Sequence, residues 1–167
     1  IISHTEPADI VVINTCTVTE NGDKDTRKLV NKLVRLNRNT HIALIGCQAQ
    51  ILQKKLLELP NVRWVIGNDQ KLNLVDIIGS EHHQDVVIAP KMSNAAFTQK
   101  TTVQYSKHTR ANLKIQAGCD FYCSFCVIPF ARGPARSRVF DNIIQEANEL
   151  AAQGHKEVVL TGVNIGT

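Results

Sequence analysis

Short runs of β-branched and other apolar residues alternate with helical stretches over the first 80 residues, and this alternation restricts the fold more than any other feature. Residues 8–14 (Ala-Asp-Ile-Val-Val-Ile-Asn), 41–45 and 62–66 read as buried strands. After the first strand and a polar stretch, Leu29, Val30, Leu33, Val34 and Leu36 recur at helical spacing, with Arg27, Lys28, Lys32 and Arg35 between them. A second helix is predicted over 50–59, ending at Pro60, which cannot continue it, and a third over 71–78, closed by Gly79. Strand–helix alternation at this spacing builds a parallel sheet with helices on its faces. The predicted fold class is therefore α/β, with a parallel three-layer domain over residues 1–79.

Periodicity is lost between 80 and 109, where polar residues, His82-His83 and Pro90 dominate. This stretch reads as a linker with one or two short strands. A second unit is expected over 110–167. Ala111, Leu113 and Ile115 alternate with Asn112, Lys114 and Gln116 in a strand that runs into Gly118. Ile143, Ile144, Ala147, Leu150 and Ala151 form one helical stripe, with Asp141 in its first turn and Gly154 as its stop. Residues 157–160 are the next strand, ending at Thr161-Gly162. Strand–loop–helix–strand is the opening of a partial β/α barrel, in which sites lie at the carboxyl ends of strands.

A length of 167 residues, 43% hydrophobic and 20% charged, is ordinary for a globular protein of one domain or two small ones. No apolar run approaches the roughly 20 residues needed to cross a bilayer, and no secretory signal is visible, so a cytoplasmic protein without a membrane partner is expected. The chain opens on Ile1 and stops just past a predicted strand; both ends are expected to be cuts. The net charge is +4, yet between Lys100 and Arg138 seven basic residues stand against Asp120 alone. Such a block is either a solvated face or the footprint of a phosphate-bearing partner. Lys24, Lys28 and Lys32 share a helix face and read as solvated.

Five cysteines without an export signal point to free thiols or metal ligands. Three fall within eight residues, in Gly118-Cys119-Asp120-Phe121-Tyr122-Cys123-Ser124-Phe125-Cys126. This C-x3-C-x2-C loop after a strand suits three irons of a cubane, with the fourth iron left open to a substrate. Structural clusters and structural zinc normally take four protein ligands. A zinc site completed by His108 or His155 stays open at this point, as do three packing cysteines.

The loop resembles the signature of radical S-adenosylmethionine enzymes. The resemblance implies that the open iron of a [4Fe-4S] cluster on Cys119, Cys123 and Cys126 chelates S-adenosylmethionine and reduces it to a 5′-deoxyadenosyl radical. It further implies that Phe125 lies near the adenine and Thr161-Gly162 near the cofactor's amino group. Residues 127–138 (Val-Ile-Pro-Phe-Ala-Arg-Gly-Pro-Ala-Arg-Ser-Arg), Asn14-Thr15-Cys16-Thr17-Val18-Thr19 and Gly46-Cys47 are similar to stretches of the methylthiotransferase family. By that similarity Cys16 and Cys47 are two of three ligands of an auxiliary [4Fe-4S] cluster that handles sulfur, and both follow predicted strands. The third ligand is expected upstream of Ile1, and the rest of the barrel with an RNA-binding domain beyond Thr167, so this stretch alone is expected to be inactive. Val139-Phe140 departs from the polar-Pro pair the family carries at the helix start.

The implied reaction inserts sulfur and methyl at C2 of N6-threonylcarbamoyladenosine at position 37 of tRNA. Its implied partners are the anticodon loop, S-adenosylmethionine, an electron donor and a sulfur source. Arg132, Arg136 and Arg138 suit phosphate contacts in that loop, or a salt bridge to the cofactor or within the barrel. Isopentenyladenosine-37 and a ribosomal-protein aspartate are the related substrates, and a non-catalytic zinc or iron–sulfur module binding nucleic acid is the reading of another class.

Overall fold

A computed structural model describes residues 6–17, 20–80, 85–98 and 109–166. The chain divides into two units, Ile1–Met92 with Phe125–Ala131, and Ser93–Ser124 with Arg132–Thr167.

The first unit contains β1 (Ile10–Thr15), α1 (Glu20–Leu36), β2 (His41–Gly46), α2 (Cys47–Leu52), β3 (Val62–Ile66), α3 (Leu74–Gly79) and β4 (Val86–Ile88). The strands form one parallel sheet in the order β1-β2-β3-β4. Both faces of the central strands are covered, which is why those strands read as apolar runs without alternation. On one face Ile42 and Leu44 pack with Val30 of α1 and with Leu56 and Val65. On the other, Ala43, Trp64 and Ile66 pack with Leu74, Ile77 and Ile78 of the α3 region. Helix, sheet and helix are the three layers the sequence predicts. Each of the fully buried branched side chains removes apolar surface worth roughly 1.5–3 kcal/mol.

Three helices differ from the sequence reading; the one read over 71–78 opens with a 3₁₀ segment, Lys71–Asn73, before α3. α1 starts at Glu20, well before its apolar stripe, because its polar first turns are held by hydrogen bonds instead. Thr26 Oγ1 donates to Gly22 O at 2.9 Å, and Gln48 Nε2 donates to Asp23 Oδ1 at 2.7 Å. The helix read over 50–59 is α2 followed by a 3₁₀ segment, Gln53–Glu58. The break falls at Gln53, whose φ of 46° takes it out of the helical region.

The second unit contains β5 (Arg110–Lys114) and β6 (Gln116–Ala117), and after α4 (Ile128–Arg132) come β7 (Arg136–Ser137), α5 (Phe140–Ala152) and β8 (Glu157–Thr161). β5 pairs with β8 in parallel, Arg110↔Glu157 through Lys114↔Thr161, and β6 pairs with β7 antiparallel. Ala111, Leu113 and Leu150 are buried. α5 has Val139 at its N-cap with no side-chain hydrogen bond, as the departure at Val139-Phe140 foretells; Ile143 N still donates to Val139 O at 3.1 Å. Among the described residues no helix is long and apolar enough to cross a membrane.

Candidate functional site

The parallel register fixes where Cys16 and Cys47 leave the sheet. Thr15 is the register partner of Gly46, and each cysteine is the next residue along its strand. Neighbouring strands lie about 4.8 Å apart, so both thiols depart from one carboxyl edge. Thr15 Oγ1 donates to Ile45 O at 2.6 Å, which locks the end of β1 to β2. Gly46 has φ +99, and a Cβ there would stand 2.5 Å from Asn14 Oδ1 and 2.6 Å from Thr15 O. Only glycine permits this turn into α2. Cys16 is exposed and Cys47 is buried, and neither is in a disulfide.

Two amide side chains that the sequence reading overlooked complete this edge. Gln50 is buried; its Nε2 donates to Pro90 O at 2.9 Å and its Oε1 accepts from Asn68 N at 3.0 Å. It thereby ties the loops after β3 and β4 together. Asn68 Nδ2 then stands 3.5 Å from Cys47 Sγ and donates to Ala131 O at 2.8 Å. An amide N–H directed at a sulfur is an outer-shell donor to any group bound through that sulfur. Nothing in a sequence period marks such residues; an amide two residues beyond a strand is the one available sign.

The loop with Cys119, Cys123 and Cys126 follows β6, and it is shaped by its backbone. Gly118 has φ +76, and a Cβ there would fall 1.8 Å from Pro134 O. Cys119 N donates to Gly133 O at 3.1 Å, and Asp120 Oδ1 accepts from Ala135 N at 2.9 Å. Tyr122 adopts φ 45°, a left-handed conformation that non-glycine residues seldom take and that clusters at functional loops. Cys119 and Cys123 belong to the second unit and Cys126 to the first. Cys123 is exposed, while Cys119 and Cys126 are half-buried. Among the described residues no three His, Cys, Asp or Glu side chains stand in a metal-binding arrangement. Taken singly, the three thiols are donors of the kind an iron–sulfur group takes: all are free and none is fully buried.

Phe125 is 92% exposed, which excludes a place in the core. Thr161 closes β8 opposite Lys114, and Ile115 N donates to Thr161 O at 2.9 Å. Gly162 presses on Gln116, where a Cβ would meet Gln116 Cβ at 2.9 Å. Gln116 is the third side chain the sequence reading missed. Its buried amide donates to Ala117 O at 3.1 Å and Gly118 O at 2.8 Å, and accepts from Val163 N at 2.8 Å and Asn164 N at 3.0 Å. One side chain thus sets the corner after β8 against the residue before Cys119.

The arginines divide. Arg138 is a correction: it is not available to RNA phosphates. Its side chain is fully buried and paired with Glu146, and it also bonds Asn142 Oδ1 at 2.7 Å and Lys114 O at 3.2 Å. The salt bridge within the unit, the alternative role, is the one it fills. Arg136 donates to Arg132 O at 2.8 Å and lies over the Phe97 ring. Arg132 is half-buried in the last turn of α4. Arg110 pairs with Glu157 at 2.9 Å. His155 is buried after α5; His108, Lys100 and Lys107, like Val18, Thr19 and His82-His83, lie outside the described residues.

Residues 1–67 match the uncharacterized protein family UPF0004, and residues 113–166 match the radical SAM superfamily. The chain is 37% identical over 164 residues to a threonylcarbamoyladenosine tRNA methylthiotransferase MtaB of Bacillus subtilis, covering 96% of this chain and 36% of that protein. The chain is thus similar to methylthiotransferases along almost its whole length, and to the radical SAM superfamily over residues 113–166. It is also 35% identical to a tRNA-2-methylthio-N(6)-dimethylallyladenosine synthase of Christiangramia forsetii, over 96% of this chain and 34% of that protein. The chain thus spans about a third of the length of these relatives. Among solved structures it resembles the radical S-adenosylmethionine methyltransferase TsrM of Kitasatospora setae, with a TM-score of 0.63 at 14% identity, over 96% of this chain and 38% of that one. That likeness is one of α/β fold. The radical SAM match over residues 113–166 implies S-adenosylmethionine and a [4Fe-4S] cluster.

Proposed function

We propose that the protein carrying this chain is a tRNA methylthiotransferase that installs a methylthio group at C2 of N6-threonylcarbamoyladenosine-37. The observation that carries the reading is the C-x3-C-x2-C loop, set by Gly118 at the end of β6 and joined through Gln116 to the corner after β8. A C2–H of adenine has no acidic proton, so acid–base chemistry cannot functionalise it. Cys119, Cys123 and Cys126 would hold a cluster, which when bound would supply one electron to cleave the sulfonium of S-adenosylmethionine and so open a radical route.

The chain's residues have the remaining tasks. Phe125, exposed beside Cys126, offers a face for the adenine of the cofactor. Thr161 and Gly162 present backbone to its amino group, in a position that Gln116 fixes. Cys16 and Cys47 would hold a second cluster at the sheet edge that would supply sulfur, and Asn68 directs an N–H to Cys47. Of the arginines of the 127–138 stretch, Arg132 suits contacts to the anticodon loop, since Arg136 is bonded to backbone carbonyls and Arg138 is buried. Position 37 lies in single-stranded RNA, where a base can be turned out for chemistry. An electron donor, a sulfur source and a cytoplasmic setting complete the reading.

Anaerobic reconstitution of the full-length protein tests the cofactor assignment. About four irons and four sulfides per site, with a cluster spectrum that changes on adding S-adenosylmethionine, are expected. Tightly bound zinc and no cofactor response would support a structural module instead. Nucleoside analysis of tRNA from a strain lacking the protein tests the substrate. The 2-methylthio derivative of threonylcarbamoyladenosine should vanish. If it persists while the isopentenyl counterpart vanishes, the second reading, favoured by the 35% identity to the dimethylallyladenosine synthase, replaces the first.

A further inference from the structure

The basic residues that the sequence puts foremost are largely spent inside the second unit. Arg110 pairs with Glu157, Arg136 binds backbone carbonyls, Arg138 is buried against Glu146, and Lys114 lies over Phe97. Among the described residues, one group of exposed basic side chains that take part in no ion pair lies together on α1. Lys24, Arg27, Lys28, Lys32 and Arg35 are all exposed, and none takes part in an ion pair found among the described residues. At 100° per residue they fall within one face of the helix, with Asp25 at its margin. Lys24, Lys28 and Lys32 repeat at i, i+4, a like-charge spacing that destabilises a helix unless an anion relieves it. Lys28, Lys32 and Arg35, with Asn31 and Leu36, also line an open groove.

The placement of this face matters as much as its charge. α1 follows the loop that carries Cys16, and Gln48, next to Cys47, holds its first turn through Asp23. Val30 is buried in the core of the first unit, so the helix cannot roll. Its 17 residues span about 25 Å. A ladder of cations therefore leads away from the sheet edge that holds Cys16 and Cys47.

We propose that this face of α1 binds the ribose-phosphate backbone of the RNA substrate, holding the strand that leads to the reacting nucleotide. The occupant is RNA rather than an acidic protein because a fixed row of point charges, with Leu36 the one apolar side chain in the groove, suits evenly repeated phosphates. The inference rests on the tRNA reading and goes beyond it by naming the surface.

Filter binding of full-length protein to tRNA over a range of salt concentrations tests it, with iron content and the spectral response to S-adenosylmethionine measured alongside. The variant Lys28→Gln/Lys32→Gln/Arg35→Gln should keep both spectroscopic properties and bind tRNA at least tenfold more weakly at about 0.1 M salt. Its salt slope should fall by about 2, the value for three lost phosphate contacts on a single strand. The charge-retaining variant Lys28→Arg/Lys32→Arg/Arg35→Lys should bind as the parent does. Parent-like affinity and slope in the neutral variant overturn the proposal while leaving the tRNA reading intact. Failure of the parent protein to bind tRNA at all overturns both.

Discussion

At the scale of single residues, the side chains that shape this molecule are buried amides and one buried ion pair, and their roles differ from what their polarity suggests. Arg138 is the clearest example. A basic residue next to a basic motif looks like a phosphate ligand, but its guanidinium is sealed against Glu146 inside the second unit. Removing one partner of a buried pair leaves the other charge uncompensated. Arg138→Ala should cost about 3–5 kcal/mol in urea unfolding and should leave the salt dependence of tRNA binding unaltered. A parent-like midpoint would show that the pair is not structural. Gln116 makes the complementary case. Gln116→Leu keeps the volume and strips hydrogen bonds from Val163 N, Asn164 N and Gly118 O. A loss of about 2–4 kcal/mol is expected, together with weaker S-adenosylmethionine binding at unchanged iron content, read by calorimetry on the reconstituted protein.

At the scale of elements, the turns after strands decide where the chemistry can lie. Gly118→Ala would place a methyl group on Pro134 O in a backbone conformation that alanine avoids. The cysteine loop would have to move, and iron bound by the Cys119, Cys123 and Cys126 set should fall steeply while far-UV dichroism changes little. Full iron loading would mean that this turn does not govern the loop. The central strands and the α5 stripe were legible in the sequence because burial imposes a pattern on them: Ile42, Leu44, Val65 and Leu150 could be placed nowhere else. The start of α1 was not legible, since Asp23 and Thr26 act through hydrogen bonds that leave no periodic trace. α2 was shifted because buried Gln48 and Gln50 look like surface residues. β6 and β7 have two residues each, too few to show a period. The cysteines announced themselves by spacing, whereas Asn68 and Gln116 could be found only once the loops they join were placed.

At the scale of the whole molecule, two α/β units each carry cysteines beyond the ends of strands. If the sheet edge with Cys16 and Cys47 and the loop with Cys119, Cys123 and Cys126 are separate sites, their losses should add. In the full-length protein, Cys16→Ala/Cys47→Ala should remove about four irons and leave the spectral response to S-adenosylmethionine. Cys119→Ala/Cys123→Ala/Cys126→Ala should remove about four others and abolish that response. A variant of either set that empties both sites would point to one shared centre.

The sole tryptophan of the chain, Trp64, sits in β3 with its ring edge-on to His41 and only 8% of its surface exposed. Its fluorescence is therefore an internal gauge of one unit: emission should shift to the red when the four-stranded sheet opens and stay silent when the β5–β8 pair melts. Followed beside circular dichroism, that single chromophore tells whether the two halves come apart together or in turn.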